Sequence, residues 1–105
     1  MRYNMFHKIK NVCPLPDMVL HIEFLDGSAK LYDVKPLMDK WPVFKNLKHR
    51  SLFDLVRVEV GGYGVVWNKD IDLACDELWE NGKDELPFQE SATKLCSLSR
   101  KNFTA

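Results

Sequence analysis

The stretch Val56–Gly82 constrains the fold more than any other part of this 105-residue chain. Its sequence, VRVEVGGYGVVWNKDIDLACDELWENG, holds two of the three tryptophans and four of the five glycines. Alternating valines, a glycine pair and a second apolar run predict a strand, a tight turn and a returning strand. The acidic residues that follow predict a short helix over residues 75–81, with Gly82 just past its C-terminal end.

The turn of this hairpin has two interpretations. A two-residue loop of Gly61 and Gly62 pairs Val58 with Val65. A four-residue loop, GGYG, shifts that pairing, and the sequence does not separate the two.

A second hairpin is predicted over residues 18–34. Apolar residues alternate with polar ones as far as Phe24, and Asp26-Gly27 is the dipeptide favoured in a two-residue turn of type I′. A loop of that length places Phe24 opposite Ala29 and Glu23 opposite Lys30.

The remaining elements are short. We predict a first strand over residues 9–13 that Pro14 ends, a helical turn over residues 37–39, and a helical turn over residues 50–54 with Ser51 as its N-cap. Trp41 and Phe44 are expected on the core. Residues 88–96 show a weak amphipathic helical pattern.

These elements predict the α+β class: two antiparallel hairpins that form one or two small sheets, with a short helix after them. We divide the chain into a single domain over residues 1–82 and a C-terminal extension over residues 83–105, partly helical and then frayed.

Composition limits the function classes. The net charge is zero and the sequence pI is about 6.8, which argues against tight non-specific binding of nucleic acid. The number of cysteines, three, is odd and they lack a CxxC spacing, which predicts a reducing cytosol and not a disulfide framework. No segment is apolar for long enough to span a membrane or to act as a signal peptide. A cytoplasmic protein is therefore expected.

The acidic residues of this region form the main candidate surface. Five carboxylates lie within eleven positions, and we interpret them as a solvent-facing interaction surface: Asp70, Asp72, Asp76, Glu77 and Glu80. Paired acids for catalysis would need unlike environments inside a pocket, which the sequence does not indicate. We therefore predict no catalytic residues and no enzyme activity.

A basic cluster is the other candidate contact. Lys45, Lys48 and Arg50 lie close together and could contact nucleic acid or an acidic peptide. The scattered histidines and the poor match of residues 68–79 to a calcium loop predict no metal site and no cofactor. Cys75 is interpreted as a small packing residue.

The run GGYGVVWNKDIDLACDELWENG, with LDGSAKLYDVKPL and FKNL before it, resembles a family of small bacterial proteins known as domain of unknown function 2442. The resemblance covers residues 5–82 and implies a small α+β fold. It implies no catalytic residues. The family pattern has a serine where this chain has Ala74, so that a capping box with Glu77 is lost and Asp72 is expected to cap the helix instead.

Some members of the family continue into a helix-turn-helix domain, and others are encoded beside a second small protein. The leading hypothesis is therefore a bacterial protein–protein interaction module, monomeric or homodimeric, whose partner is another small, co-encoded protein. The expected contact is either a strand edge or the face that runs from Asp70 to Glu80. A regulator or antitoxin-like protein linked to nucleic acid is the second hypothesis, and a small enzyme of unknown reaction is the third.

Overall fold

The structure, a computed structural model, describes residues 7–84 as two antiparallel sheets and three short helices. The strands are β1 (Ile9–Leu15), β2 (Val19–Phe24), β3 (Ala29–Asp33), β4 (Arg57–Val58), β5 (Gly64–Asn68), β6 (Ile71–Ala74) and β7 (Lys83–Asp84). The helices are α1 (Leu37–Lys40), α2 (Arg50–Phe53) and α3 (Cys75–Asn81), and 3-10 turns cover Pro16–Met18, Pro42–Lys48 and Val60–Gly62.

The two sheets confirm the α+β class. One has the strand order β1-β2-β3-β7, and the other has the order β4-β5-β6. The predicted helix over residues 75–81 is α3, and the helical turn expected at residues 37–39 is α1. The weak helix predicted over residues 88–96 lies outside the described residues, and the division at Gly82 stays a prediction.

The register of the first hairpin differs from the prediction by one residue. Glu23 pairs with Ala29 and Leu20 with Tyr32. The loop has three residues, because the Phe24 N–H donates to the Ser28 carbonyl (2.8 Å) and the Gly27 N–H donates to the Phe24 carbonyl (3.0 Å). Gly27 has a φ of +94°, the conformation of a glycine bulge after a type I turn. The predicted two-residue type I′ turn is therefore wrong.

The one-residue shift moves Lys30 to the core face, opposite Ile22. Its ammonium group lies 4.7 Å above the Trp79 ring and 3.1 Å from the Asp84 carboxylate. The side chain is only 12% exposed. The aliphatic part of this lysine therefore covers the core while its charge is compensated by the carboxylate at the end of β7.

The strands of the second hairpin pair in the register that the two-residue loop predicts, but the loop that joins them has four residues. Val58 pairs with Val65, as that interpretation predicts. The Glu59 N–H donates to the Gly64 carbonyl (2.8 Å), so the loop consists of residues 60–63 and Val60 is 95% exposed. The positive φ of Gly61 and Gly62 makes this loop possible.

Several smaller expectations are corrected. Pro14 lies inside β1 and pairs with Leu20, which a proline can do because β1 is an edge strand. Ser51 lies inside α2, and His49 occupies the N-cap position without a side-chain hydrogen bond. Ala74 is the N-cap of α3, again without one, so Asp72 does not cap this helix.

Trp67 lies at the centre of the core. It is 2% exposed, and its indole N–H donates to the Phe53 carbonyl (3.1 Å). Its ring contacts the rings of Phe44 (centroids 6.3 Å apart) and Phe53 (6.1 Å). These contacts join the second sheet to the segment between the sheets, which carries α1 and α2.

Candidate functional site

A pocket of about 340 Å³ opens between the α1 region and the segment that runs from β6 into α3. We call it the acidic pocket. Three carboxylates line it, those of Asp70, Asp72 and Glu77. The other lining residues are apolar: Leu37, Trp41, Val43, Phe44, Leu73 and Ala74. None of these lining residues carries a positive charge.

Local structure directs Asp70 and Asp72 to this pocket. The Asn68 side-chain oxygen accepts hydrogen bonds from the backbone N–H groups of Asp70 (2.8 Å) and Ile71 (3.0 Å), which holds the turn before β6. Along β6, Ile71 and Leu73 are buried while Asp72 is exposed, as strand alternation requires. Both carboxylates therefore reach solvent at the mouth of the pocket.

Glu77 is the half-buried acid of the pocket. It lies in the first turn of α3, and its Oε2 accepts a hydrogen bond from the Tyr32 hydroxyl (2.7 Å). Tyr32 is 4% exposed. Burial, followed by the hydrogen bond and the charge of Glu77, raises the pKa of Tyr32. Tyr32 is therefore a neutral donor that orients the Glu77 carboxylate from the adjacent sheet.

The pKa of Tyr32 predicts a pH dependence of stability. The folded-state pKa lies above the ordinary value of 10.0, so the folded protein keeps the phenolic proton where the unfolded chain loses it. This contribution is complete below pH 10 and is lost as the pH rises through the alkaline range. In urea unfolding between about pH 9 and pH 11, we expect the stability advantage over Tyr32→Phe to fall by about 1.4 kcal/mol per pH unit above pH 10.

The half-exposed Tyr63 supplies the control. The Tyr63→Phe variant should lose stability with the same alkaline slope as the unsubstituted protein. A difference between Tyr32→Phe and the unsubstituted protein that stays constant above pH 10 would contradict the assignment.

Trp41 forms the wall between two pockets. Its side chain is 53% exposed, and it borders the acidic pocket and a second cavity of about 570 Å³ in which Lys40 and Lys83 lie. The prediction that Trp41 packs onto the core is wrong, whereas Phe44 is 5% exposed as expected. An exposed indole beside three carboxylates is a surface that suits a cationic group.

The structure brings together three of the five predicted acids. Asp70, Asp72 and Glu77 line the acidic pocket, whereas Asp76 and Glu80 are exposed on α3 and do not line it. The sequence reasoning did not find the opposite wall, which includes Leu37 and Trp41. The local signal for this wall was Trp41 itself, which lies between Pro36 and Pro42 and which the sequence analysis expected on the core.

The basic cluster is divided by the fold. Lys45 and Lys48 are exposed in the 3-10 turn, whereas the guanidinium group of Arg50 makes contacts within the protein. Its Nε lies 2.8 Å from Asp54, one terminal nitrogen donates to the Leu15 carbonyl (2.7 Å), and its guanidinium lies 5.1 Å above the Phe53 ring. Arg50 therefore stabilises α2 against β1.

The other candidates for chemistry are the metal-ligating residue types and the cysteines. Among residues 7–84, no group of three or more His, Cys, Asp or Glu side chains is arranged to hold a metal ion. Cys75 is buried, and burial and then the Asp76 carboxylate raise the pKa of its thiol, which opposes reactivity. Cys13 is disulfide-bonded, so the prediction of cysteines without a disulfide is wrong, and the cysteines do not indicate a reducing compartment.

Comparisons with known proteins add one finding. Residues 9–84 match the model of a family described as "Protein of unknown function (DUF2442)". No curated protein and no solved structure matches the chain. Among the helices of residues 7–84, none has the length and the apolar character needed to cross a membrane.

Proposed function

The chain belongs to this family of proteins of unknown function, and we propose that it is a non-enzymatic interaction module whose acidic pocket receives a lysine or arginine side chain of a partner protein. The observation that carries the proposal is the composition of the pocket: three carboxylates and an exposed tryptophan around an apolar floor, with no basic residue in the lining.

The chemistry of a long cationic side chain matches this lining. The aliphatic part of Lys or Arg is stabilised against apolar surface, here Leu37, Val43 and Phe44, while the charged end stays near carboxylates. The Trp41 ring can contact a cation, as it already does with the Lys40 ammonium group of the chain itself, 5.9 Å from the ring centroid. Glu77, already held by Tyr32, is oriented before any partner binds, which lowers the entropic cost of binding.

The partner is proposed to be another small protein, co-encoded with this one in a bacterium, as the family resemblance implies. The cytoplasm is the proposed compartment of both proteins. Electrostatic complementarity of this kind governs the association rate and the choice of partner more than the total affinity. Binding through the acidic pocket should therefore weaken as the ionic strength increases.

The same pocket keeps a small enzyme as the second candidate, because it does hold several acids. Glu77 is half-buried whereas Asp70 and Asp72 are exposed, and carboxylates that act as acid and base have unlike environments of this kind. A regulator that binds nucleic acid is less well supported, since the contacts of Arg50 leave Lys45 and Lys48 as the exposed cations of the basic cluster.

Affinity purification of the full chain from cells that make it naturally tests the proposal. We expect the unsubstituted protein to retain one small basic protein. We expect the amount retained to fall by at least about tenfold for Trp41→Ala, which removes the aromatic contact with the cation, and for Asp72→Lys, which places like charges together. The exposed positions of both residues should leave the free energy of unfolding nearly unchanged.

Asp76→Lys and Glu80→Lys are the matched controls, since they reverse charge on α3 outside the pocket. They should retain the partner at the level of the unsubstituted protein. Equal loss for variants inside and outside the pocket would show that only the overall charge matters, and unchanged retention by the pocket variants would exclude the pocket as the binding site.

A further inference from the structure

The outer edge of β6 is open in the described part of the chain. The second sheet has the order β4-β5-β6, and within residues 7–84 no strand pairs with β6 on the side away from β5. Open strand edges carry backbone donors and acceptors that can pair with another chain.

The register shows which backbone groups of β6 point outward. The Cys75 N–H donates to the Tyr63 carbonyl (2.8 Å), so this pair is hydrogen-bonded, and the pairs alternate along an antiparallel ladder. Gly64 opposite Ala74 and Val66 opposite Asp72 are then the pairs without mutual hydrogen bonds. The Gly64 carbonyl confirms this alternation, because it accepts from Glu59 of the other neighbouring segment (2.8 Å).

Three backbone groups therefore face away from β5: the N–H and the carbonyl of Asp72, and the N–H of Ala74. The side chains of Asp72 and Ala74 are exposed, and both residues line the acidic pocket. An extended segment that paired with this edge would lie along the mouth of the pocket, and alternate side chains of that segment would face the carboxylates.

We propose that β6 is a strand-addition site, at which an extended, basic segment of a partner protein joins the second sheet and places a lysine or arginine side chain in the acidic pocket. This inference rests on the proposed function and specifies the form of the partner. The charge of the pocket indicates a basic segment as the occupant. Asp70, Asp72 and Glu77 line the pocket beside this edge, and an acidic or neutral segment would not compensate their negative charge.

The edge can be blocked by one substitution that the fold tolerates. Ala74 has a φ of −73° and a ψ of 151°, values that proline adopts. Its N–H is used neither by β5 nor by α3, and the residue before it is already extended, as a proline requires. Ala74→Pro should therefore remove the outward donor and place a ring on the edge while the fold is retained. Ala74→Gly keeps the donor and is the matched control.

The probe is a synthetic peptide of alternating lysine and valine with blocked ends, added to the full chain. We expect amide hydrogen exchange at Asp72 and Ala74 to slow when the peptide binds. We expect Ala74→Pro to weaken binding by about tenfold or more, since it removes one backbone hydrogen bond and obstructs the edge. Ala74→Gly should bind within about twofold of the unsubstituted protein.

The outcomes separate the inference from the proposed function. Equal binding by Ala74→Pro, with the peptide still sensitive to Asp72→Lys, overturns strand addition and leaves the pocket function intact. Equal binding of a glutamate–valine peptide overturns both. Slow exchange of Asp72 and Ala74 in the protein without peptide, or a dimeric mass in sedimentation with these amides protected, shows that the edge already has another occupant and overturns the inference.

Discussion

Trp67→Ala is expected to lower the free energy of unfolding by roughly 3–5 kcal/mol, the cost of removing a large aromatic side chain from a core. Trp67 is 2% exposed and contacts Phe44 and Phe53, so its removal leaves a cavity between the second sheet and the segment that carries α1 and α2. The Phe53 carbonyl also loses its indole donor. Domains of this size are stable by about 5–15 kcal/mol, so this substitution should remove a large fraction of the total stability.

Trp41→Ala is the matched control for this prediction, because the same side chain is removed from a position that is 53% exposed. Urea unfolding followed by circular dichroism should show a change of no more than about 1 kcal/mol for Trp41→Ala. Similar losses at both positions would mean that the exposed and buried roles of the two tryptophans are misassigned.

Gly62→Ala is expected to combine two costs, a strained backbone conformation and a close contact with the backbone of another strand. Gly62 has a φ of +81°, and a Cβ atom there would lie 2.8 Å from the Ile9 carbonyl oxygen and 3.2 Å from the Ile9 nitrogen. Both neighbours are backbone atoms of β1, which cannot turn aside as a side chain can. The strain of a positive φ, about 1–3 kcal/mol, is therefore increased by the displacement of one sheet against the other.

Gly27→Ala separates these two costs. Its φ of +94° imposes similar backbone strain, but no atom lies within 4 Å of the added Cβ. We expect a loss of about 1–2 kcal/mol for Gly27→Ala and a clearly larger loss for Gly62→Ala, measured as the shift of the urea midpoint. A loss at Gly62 no greater than that at Gly27 would show that the hairpin moves away from β1 without cost.

The two hairpins show where prediction from sequence succeeds. Periodicity of two located the strands, and one of the two interpretations of the Gly61-Gly62 turn gives the observed pairing of Val58 with Val65. The first hairpin failed by one residue, because Asp26-Gly27 also fits a three-residue loop with a glycine bulge, and alternation alone does not count loop residues. Lys30 reached the core face only through that shift.

Gly82 lies where the sequence predicts it, directly after α3, but the reason that glycine is needed there differs from the predicted one. It follows α3 as predicted, but its φ of −76° is not the left-handed conformation of a helix-ending glycine. A Cβ atom there would lie 2.5 Å from the Leu78 carbonyl oxygen and 3.2 Å from the Lys30 Cβ. The carbonyl in the last turn of α3 and the packing of α3 against β3 therefore both favour glycine here, and the second of these is a tertiary contact.

The stretch Val56–Gly82 by itself determined β5, α3 and the run of acids to which Asp70, Asp72 and Glu77 belong, because alternation and helix-end chemistry act between residues close in sequence. Only the tertiary structure decided that these acids face Trp41. The packing of Phe44 against Trp67 brings the α1 region to β6, and it leaves the indole of Trp41 in solvent. Which of two nearby aromatic residues is buried depends on space in the core, and local sequence does not encode that space.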